Sequence, residues 1–166
     1  MNKFRAAVCH STLSLMSVVS LAAPADDART AIVRMYREED AAAMRGDIAA
    51  AMSHYAKTYT LYSPSGRVYT YDTLQRYLQQ TFPYEKSLKS SSEVVAYKKT
   101  GLNQAQVRVK AESVQVLVDP NTQKQITLVS RSLMLDNLIY QNKKWLHQKS
   151  VLLSSQETNN GQKVTP

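Results

Sequence analysis

Residues 46–66 read GDIAAAMSHYAKTYTLYSPSG and predict a helix end, a short helix, a strand and a turn in direct succession. Gly46 suits the left-handed conformation that ends a helix, and Asp47 can accept backbone N–H bonds as the N-cap of the next helix. The apolar residues that follow fall on one helical face, at Ile48, Met52 and Tyr55. Two helices therefore meet at a tight corner.

The second half of this stretch has the alternation of a β-strand. From Lys57 to Ser63, β-favouring side chains point to the two faces in turn, with Tyr59 and Ser63 on the same face. Pro64-Ser65-Gly66 then ends the strand in a turn.

One long helix is predicted before this stretch and a shorter one after it. Asp26 or Asp27 can cap a helix that runs to Met44. After a short extended piece, Asp72 can cap a helix that continues to about Phe82, where Pro83 stops it. These segments give three helices in the first half of the chain.

Four long strands complete the predicted fold. They run over residues 90–100, 105–118, 125–140 and 145–154. Within the second strand the apolar residues move from odd to even positions, which predicts a β-bulge near Glu112-Ser113. The class is therefore α+β, with a strongly bent antiparallel sheet.

This order of elements resembles the nuclear-transport-factor-two-like, or SnoaL-like, superfamily, which includes the ketosteroid isomerases. The resemblance rests on the Gly46-Asp47 corner and on a closing strand that carries Trp145, His147 and Ser150. It implies a cone-shaped fold in which three N-terminal helices pack on the bent sheet. It also implies an internal cavity for a small organic ligand and a homodimer formed through the sheet.

The resemblance also indicates which residues would line that cavity. The candidates are Tyr36, Glu39, Tyr55, Tyr59, Ser63 and His147. In ketosteroid isomerases the general base and the oxyanion donor occupy the positions that hold Ser63 and Glu39 here. Serine cannot serve as that base, and an ionised glutamate would oppose an oxyanion. Glu39 with His147 is the acid–base pair that this lining offers.

Each member of that pair also has an ordinary structural interpretation. Glu39 can lie at the edge of its helix face and reach solvent or an arginine, because charged residues are seldom buried. His147 can be a sheet histidine bonded to a neighbour. His54 is expected on the surface.

The N-terminus is typical of an exported protein. Lys3 and Arg5 precede a mostly apolar run, and cleavage is expected after Ala22 or Ala25, so residues 1–25 form a signal peptide. Cys9 is the single cysteine and lies within this segment. The mature chain would thus have no disulfide or thiol chemistry, and its location would be periplasmic or secreted.

The mature chain is basic without a dense charged run. Removal of Lys3 and Arg5 lowers the 21 Lys and Arg residues to 19, against 13 Asp and Glu, a net charge of +6. A binder of nucleic acid or another anionic polymer would use the sheet cations Lys98, Lys99, Arg108 and Lys110. The spread of the charge favours a solvated surface, with peripheral envelope contact as the remaining expectation.

These observations predict one SnoaL-like domain over residues 26–154 and a disordered polar tail over residues 155–166. We expect an exported domain that binds a small ligand or takes part in an assembly, without catalysis. The alternative is a cofactor-independent isomerase, dehydratase or hydrolase acting on a small hydrophobic molecule. No metal or cofactor is expected, since the sequence has no phosphate-binding loop and no set of metal-binding histidines.

Overall fold

The computed structural model describes residues 25–163. Residues 1–24 of the predicted signal peptide lie outside it, as do the last three residues of the predicted tail. Within the described range, no helix is long and apolar enough to cross a membrane.

The described residues form three α-helices and seven strands, with all three helices before the five strands that end the chain's described part. The helices are α1 (Ala25–Met44), α2 (Ile48–Met52) and α3 (Tyr71–Thr81), and a 3-10 turn follows over Phe82–Tyr84. The strands are β1 (Tyr55–Tyr62), β2 (Val68–Thr70), β3 (Glu85–Gly101), β4 (Gln104–Val118), β5 (Gln125–Gln141), β6 (Lys144–Asn159) and β7 (Gln162–Lys163).

All seven strands form one strongly curved sheet in the order β2-β1-β6-β5-β4-β3, with β7 paired to the end of β6. Neighbours are antiparallel except for β1 and β6, which are parallel. The sheet is therefore mixed, and the prediction of a purely antiparallel sheet needs this correction. The pairing of β1 with β6 joins segments about 90 residues apart, which local patterns do not reveal.

The predicted corner between α1 and α2 is confirmed. Gly46 has a φ of +68°, and the Asp47 side chain accepts a bond from the Ala50 N–H at 3.0 Å. Tyr55 does not belong to the short helix, however, because α2 ends at Met52 and Tyr55 begins β1.

The N-cap of α3 also differs from the prediction. Thr70 caps this helix in place of Asp72, and its side chain forms a reciprocal capping box with Thr73. Asp72 lies in the first turn, where an acidic side chain favours the helix dipole.

The β-bulge predicted near Glu112-Ser113 is wrong. Strand β4 pairs with β5 in unbroken register from Gln104 to Val118, and its register with β3 is regular at Glu112-Ser113. The apolar residues change face because the later valines of β4 lie on the side away from the helices. The register shifts lie elsewhere, for example between Leu133 and Met134 in the pairing of β5 with β6.

The polar C-terminal segment continues the sheet. Strand β6 extends past the predicted boundary at Ser154 to Asn159, and β7 turns back on it through Asn160 and Gly161, both at positive φ. Residues 155–159 have no apolar side chains, and it is their backbone pairing with β5 that places them in the sheet. The predicted disorder of the tail is thus not found over residues 155–163.

The helices pack on one side of the sheet, which we term the inner face. On β4 to β6 its buried residues include Ala105, Val107, Val109, Asp136, Leu138, Trp145, His147 and Ser150. One core cluster joins α1 to this face around Ile32 and Val109. A second joins α2, α3 and β1 around Met52, Tyr59 and Tyr71.

Candidate functional site

Two carboxylates and a histidine from three elements meet on the inner face. His147 of β6 lies between Glu39 of α1 and Asp136 of β5. Its Nε2 is 3.0 Å from Glu39 Oε2, within hydrogen-bond distance. Its Nδ1 is 3.6 Å from Asp136 Oδ2, close enough for charge attraction but longer than a hydrogen bond. We call Glu39, Asp136 and His147 the acid–base cluster.

Tyrosines hold both carboxylates in place. The Tyr36 hydroxyl donates to Asp136 Oδ2 at 2.5 Å, and the Tyr55 hydroxyl donates to Glu39 Oε1. The Tyr55 ring also stacks on the His147 ring, with centroids 4.7 Å apart. Tyr36 belongs to the first core cluster and Tyr55 packs against the second, so the acid–base cluster lies where the two meet.

The acid–base cluster is buried at one end and partly open at the other. The side chains of Asp136 and His147 are 1% and 4% exposed, whereas that of Glu39 is 19% exposed. Within the described chain, Asp136 Oδ1 and His147 Nδ1 have no hydrogen-bond partner. Glu39, beside the half-buried Tyr55, is therefore the member of the cluster nearest to solvent.

The charges of Glu39 and His147 stabilise each other. Burial alone would lower the pKa of His147, but the Glu39 carboxylate, aided by Asp136, raises it above its ordinary value of 6.5. Burial would likewise raise the pKa of Glu39, but the His147 imidazolium and the Tyr55 hydroxyl hold it below 4.5. Burial, followed by the nearby carboxylates, raises the pKa values of the Tyr36 and Tyr55 hydroxyls, so both remain protonated donors.

The structure brings together five of the six candidates predicted from the sequence. These are Tyr36, Glu39, Tyr55, Tyr59 and His147, whose side chains contact one another across α1, β1 and β6. Ser63 lies apart, in the turn after β1. Its hydroxyl pairs with that of Ser65 and accepts the Arg67 N–H. Glu39 does not reach an arginine, because it bonds to Tyr55 and His147 instead.

Sequence analysis missed Asp136. This aspartate lies within the largely apolar stretch Leu133–Ile139. It lies on the same face of β5 as Met134 and Leu138, which is the inner face. A lone carboxylate on the inward side of a strand was the available signal. His54, expected on the surface, is half-buried. Its backbone carbonyl accepts a hydrogen bond from the backbone N–H of His147 at 2.9 Å.

Three solved structures share this architecture. The first is a scytalone-dehydratase-like protein from Novosphingobium aromaticivorans, 10% identical with a TM-score of 0.69 over 80% of this chain and 87% of that one. The second is a type 2 hexachlorocyclohexane dehydrochlorinase, LinA, 9% identical with a TM-score of 0.63 over 84% and 95%. The third is a nuclear-transport-factor-two-like protein from Shewanella oneidensis, 14% identical with a TM-score of 0.58 over 75% and 98%. The chain has the nuclear-transport-factor-two-like fold.

The nuclear-transport-factor-two-like, or SnoaL-like, fold is the one predicted from the sequence, and it suits the binding of small molecules. At these identities the likeness is one of fold. No protein-family profile and no curated protein matches the sequence. Any proposal about activity therefore rests on the acid–base cluster.

Proposed function

We propose that this protein is a cofactor-independent enzyme that transfers a proton on a small organic molecule. The observation that carries the proposal is the position of His147, buried between Glu39 and Asp136, with the Glu39 side chain 19% exposed. Replacing buried ion pairs with apolar residues often costs no stability. A buried cluster of acid–base groups with shifted pKa values is therefore a candidate for a functional role.

Glu39 is the group placed to exchange a proton with a substrate. Its lowered pKa keeps it ionised near neutral pH, and it is the most exposed member of the acid–base cluster. When Glu39 accepts a proton, the charge that raises the pKa of His147 is lost. His147 can then release its Nε2 proton to the substrate, while the Tyr36 ring packs edge-on against its imidazole.

The names of two of the similar solved proteins also support this proposal. The names dehydratase and dehydrochlorinase both denote eliminations, reactions in which a base removes a proton. An elimination or isomerisation is thus the reaction class that we propose, on a small hydrophobic molecule. Binding without catalysis, which sequence analysis favoured, remains the competing prediction.

The proposal can be tested with 5-nitrobenzisoxazole, whose ring opens when a single base removes its proton. We expect the wild-type protein to open the ring faster than buffer. Glu39→Gln and His147→Gln should each lower the rate at least a hundredfold, since acid–base groups contribute ~10²–10⁴. Glu38→Gln, on the exposed side of the same helix, is the matched control and should keep the wild-type rate.

A wild-type rate equal to that of Glu39→Gln, with both proteins folded by circular dichroism, would contradict the enzyme proposal and favour binding without catalysis. A loss of rate in Glu38→Gln equal to that in Glu39→Gln would point to general charge effects in place of the acid–base cluster.

We also propose that the protein is exported and loses residues 1–25. Helix α1 begins at Ala25 and is regular from there, so cleavage after Ala25 would leave the described fold almost complete. The intact mass of the protein from the periplasm or medium tests this. A mass that includes Met1 in that fraction would contradict cleavage.

A further inference from the structure

A second cleft lies between the first half of α1 and the hairpin of β5 and β6, and we propose that it binds a small aromatic carboxylate. Its volume is about 440 Å³, within the range of ~300–1,000 Å³ that holds small molecules. We call it the hairpin cleft. Its lining includes Arg34, Met35, His54, Lys143, Lys144 and Trp145.

The hairpin cleft is distinct from the acid–base cluster. Glu39, Tyr55 and His147 do not line it, and its walls come from other positions of α1 and from the hairpin turn. The two sites are nonetheless neighbours, since Trp145 precedes His147 by two residues on β6. The inference goes beyond the proposed function and does not depend on catalysis.

One wall of the cleft is aromatic, and one of its rings carries a buried donor without a partner among the residues that the structure describes. The Tyr140 and Trp145 rings line it together, with centroids 5.3 Å apart and planes tilted by 54°. Trp145 is 5% exposed, and its indole N–H finds no acceptor anywhere in residues 25–163. An indole nitrogen can only donate, and leaving a buried donor unpaired costs free energy. An aromatic ligand with an acceptor oxygen would stack there and accept this bond.

The charges around the cleft favour an anion. Arg34, Lys143 and Lys144 outnumber the acidic lining residues Asp27 and Glu38 by three to two. Lys144 is held in place, because its ammonium group donates to the Ser53 carbonyl at 2.9 Å.

His54 adds a polar ring to the same wall. Burial lowers its pKa below 6.5; the attraction of Glu39 and Glu38 opposes this shift, and the weaker repulsion of His147 and Lys144 adds to it. The uncharged imidazole can donate or accept a bond but adds no positive charge. The positive charge therefore comes from the arginine and the lysines, and a carboxylate is the anion that Arg34 matches in geometry.

The single tryptophan of the chain makes this proposal testable. A ¹⁵N-labelled sample gives one indole N–H resonance, and it belongs to Trp145. We expect benzoate to shift this resonance downfield in a saturable way, since the indole N–H would donate to the carboxylate. Benzamide has the same ring without the charge, and it should bind at least tenfold more weakly.

Two charge-removing double variants test whether benzoate binds in the hairpin cleft or elsewhere on the protein. Arg34→Gln combined with Lys143→Gln should raise the Kd for benzoate about tenfold, because hydrogen bonds to charged groups are the stronger ones. The matched control, Arg76→Gln combined with Lys86→Gln, removes the same charge from exposed positions elsewhere. It should leave the Kd within about twofold, a difference near 0.4 kcal/mol.

The proposal is overturned if benzoate leaves the indole resonance in place, or if the two double variants bind benzoate equally. Glu39→Gln distinguishes the hairpin cleft from the acid–base cluster. It should lower the rate of ring opening of 5-nitrobenzisoxazole as above and leave the shift of the Trp145 resonance by benzoate intact. A loss of that shift in Glu39→Gln would place benzoate at the acid–base cluster and contradict a separate site.

Discussion

At the scale of single residues, the site depends on how each buried polar group is paired. Tyr36 and Tyr97 are both tyrosines packed with the first core cluster, but their hydroxyls differ. The Tyr36 hydroxyl donates to Asp136, whereas the Tyr97 hydroxyl is buried without a partner in the described chain. The same substitution at the two positions should therefore have different effects.

We expect Tyr36→Phe to lower the free energy of unfolding by about 1–3 kcal/mol, because it leaves the Asp136 carboxylate without its donor. Tyr97→Phe is the matched control, and it should be neutral or stabilising since it removes an unpaired hydroxyl. Urea unfolding of the three proteins measures both changes. Equal losses in the two variants would show that the hydroxyl of Tyr36 does not support the acid–base cluster.

Residue patterns predicted two of the three residues of the acid–base cluster. Glu39 was identifiable because it lies on an otherwise apolar helix face, and His147 because it follows Trp145 in the closing strand. The sequence could not identify Asp136 in the same way. Its contact with Tyr36 spans 100 residues and depends on how α1 crosses the sheet. Periodicity predicts on which face of a helix or strand a residue lies. Which residue of another element it contacts is decided only in the folded sheet.

At the scale of elements, local signals gave most helices and strands, and the errors occurred where tertiary pairing decided. Strand β3 begins at Glu85, five residues before the predicted start, because its polar first residues pair with β4. The extension of β6 to Asn159 has the same cause. The parallel pairing of β1 with β6 has no local signal.

The start of α3 gives a test at this scale. Thr70→Ala removes the bond that the Thr70 side chain accepts from the Thr73 N–H and keeps the reciprocal bond from the backbone of residue 70 to the Thr73 hydroxyl; it should lower the free energy of unfolding by about 1 kcal/mol. Asp72→Asn keeps the shape of the first turn and loses only its dipole interaction, so its effect should be smaller, about 0.3–0.5 kcal/mol. Thermal unfolding followed by circular dichroism compares them. A larger effect for Asp72→Asn would restore the aspartate as the main determinant of the helix start.

At the scale of the whole molecule, the acid–base cluster should make stability depend on pH. The pKa of His147 is raised, so its contribution is complete below 6.5 and is lost as pH rises through the folded-state pKa. The pKa of Glu39 is lowered, so its contribution is complete above 4.5 and is lost as pH falls through the folded-state pKa. The two contributions coincide between pH 4.5 and 6.5.

We therefore expect the loss of unfolding free energy in Glu39→Gln, relative to wild type, to be larger at pH 5.5 than at pH 9. Arg37→Gln, which removes an exposed charge from the same helix, should show no such difference. Urea unfolding at the two pH values is the measurement. A loss in Glu39→Gln that is independent of pH would mean that Glu39 and His147 do not form a charged pair in the folded protein.

The homodimer predicted through the sheet would use the face opposite the helices, which we term the outer face. Leu133, Leu135 and Val151 lie on it at the centre of the sheet, where β4, β5 and β6 run side by side. Glu93 lies beside Lys110 on the same face, so a two-fold axis could place opposite charges of two copies against each other. The helices pack on the inner face and leave these leucines for a second copy.

Leu135→Lys should dissociate this dimer, because it places an ammonium group in the apolar centre of the contact. Lys86→Gln, at the edge of the sheet, should leave the dimer intact. Light scattering after size-exclusion chromatography gives the mass of each protein. A wild-type monomer at high concentration, or a dimer that survives Leu135→Lys unchanged, would exclude the outer face as the interface. In either case a catalytic role for the acid–base cluster would stand, since Glu39, Asp136 and His147 all come from one copy of the chain.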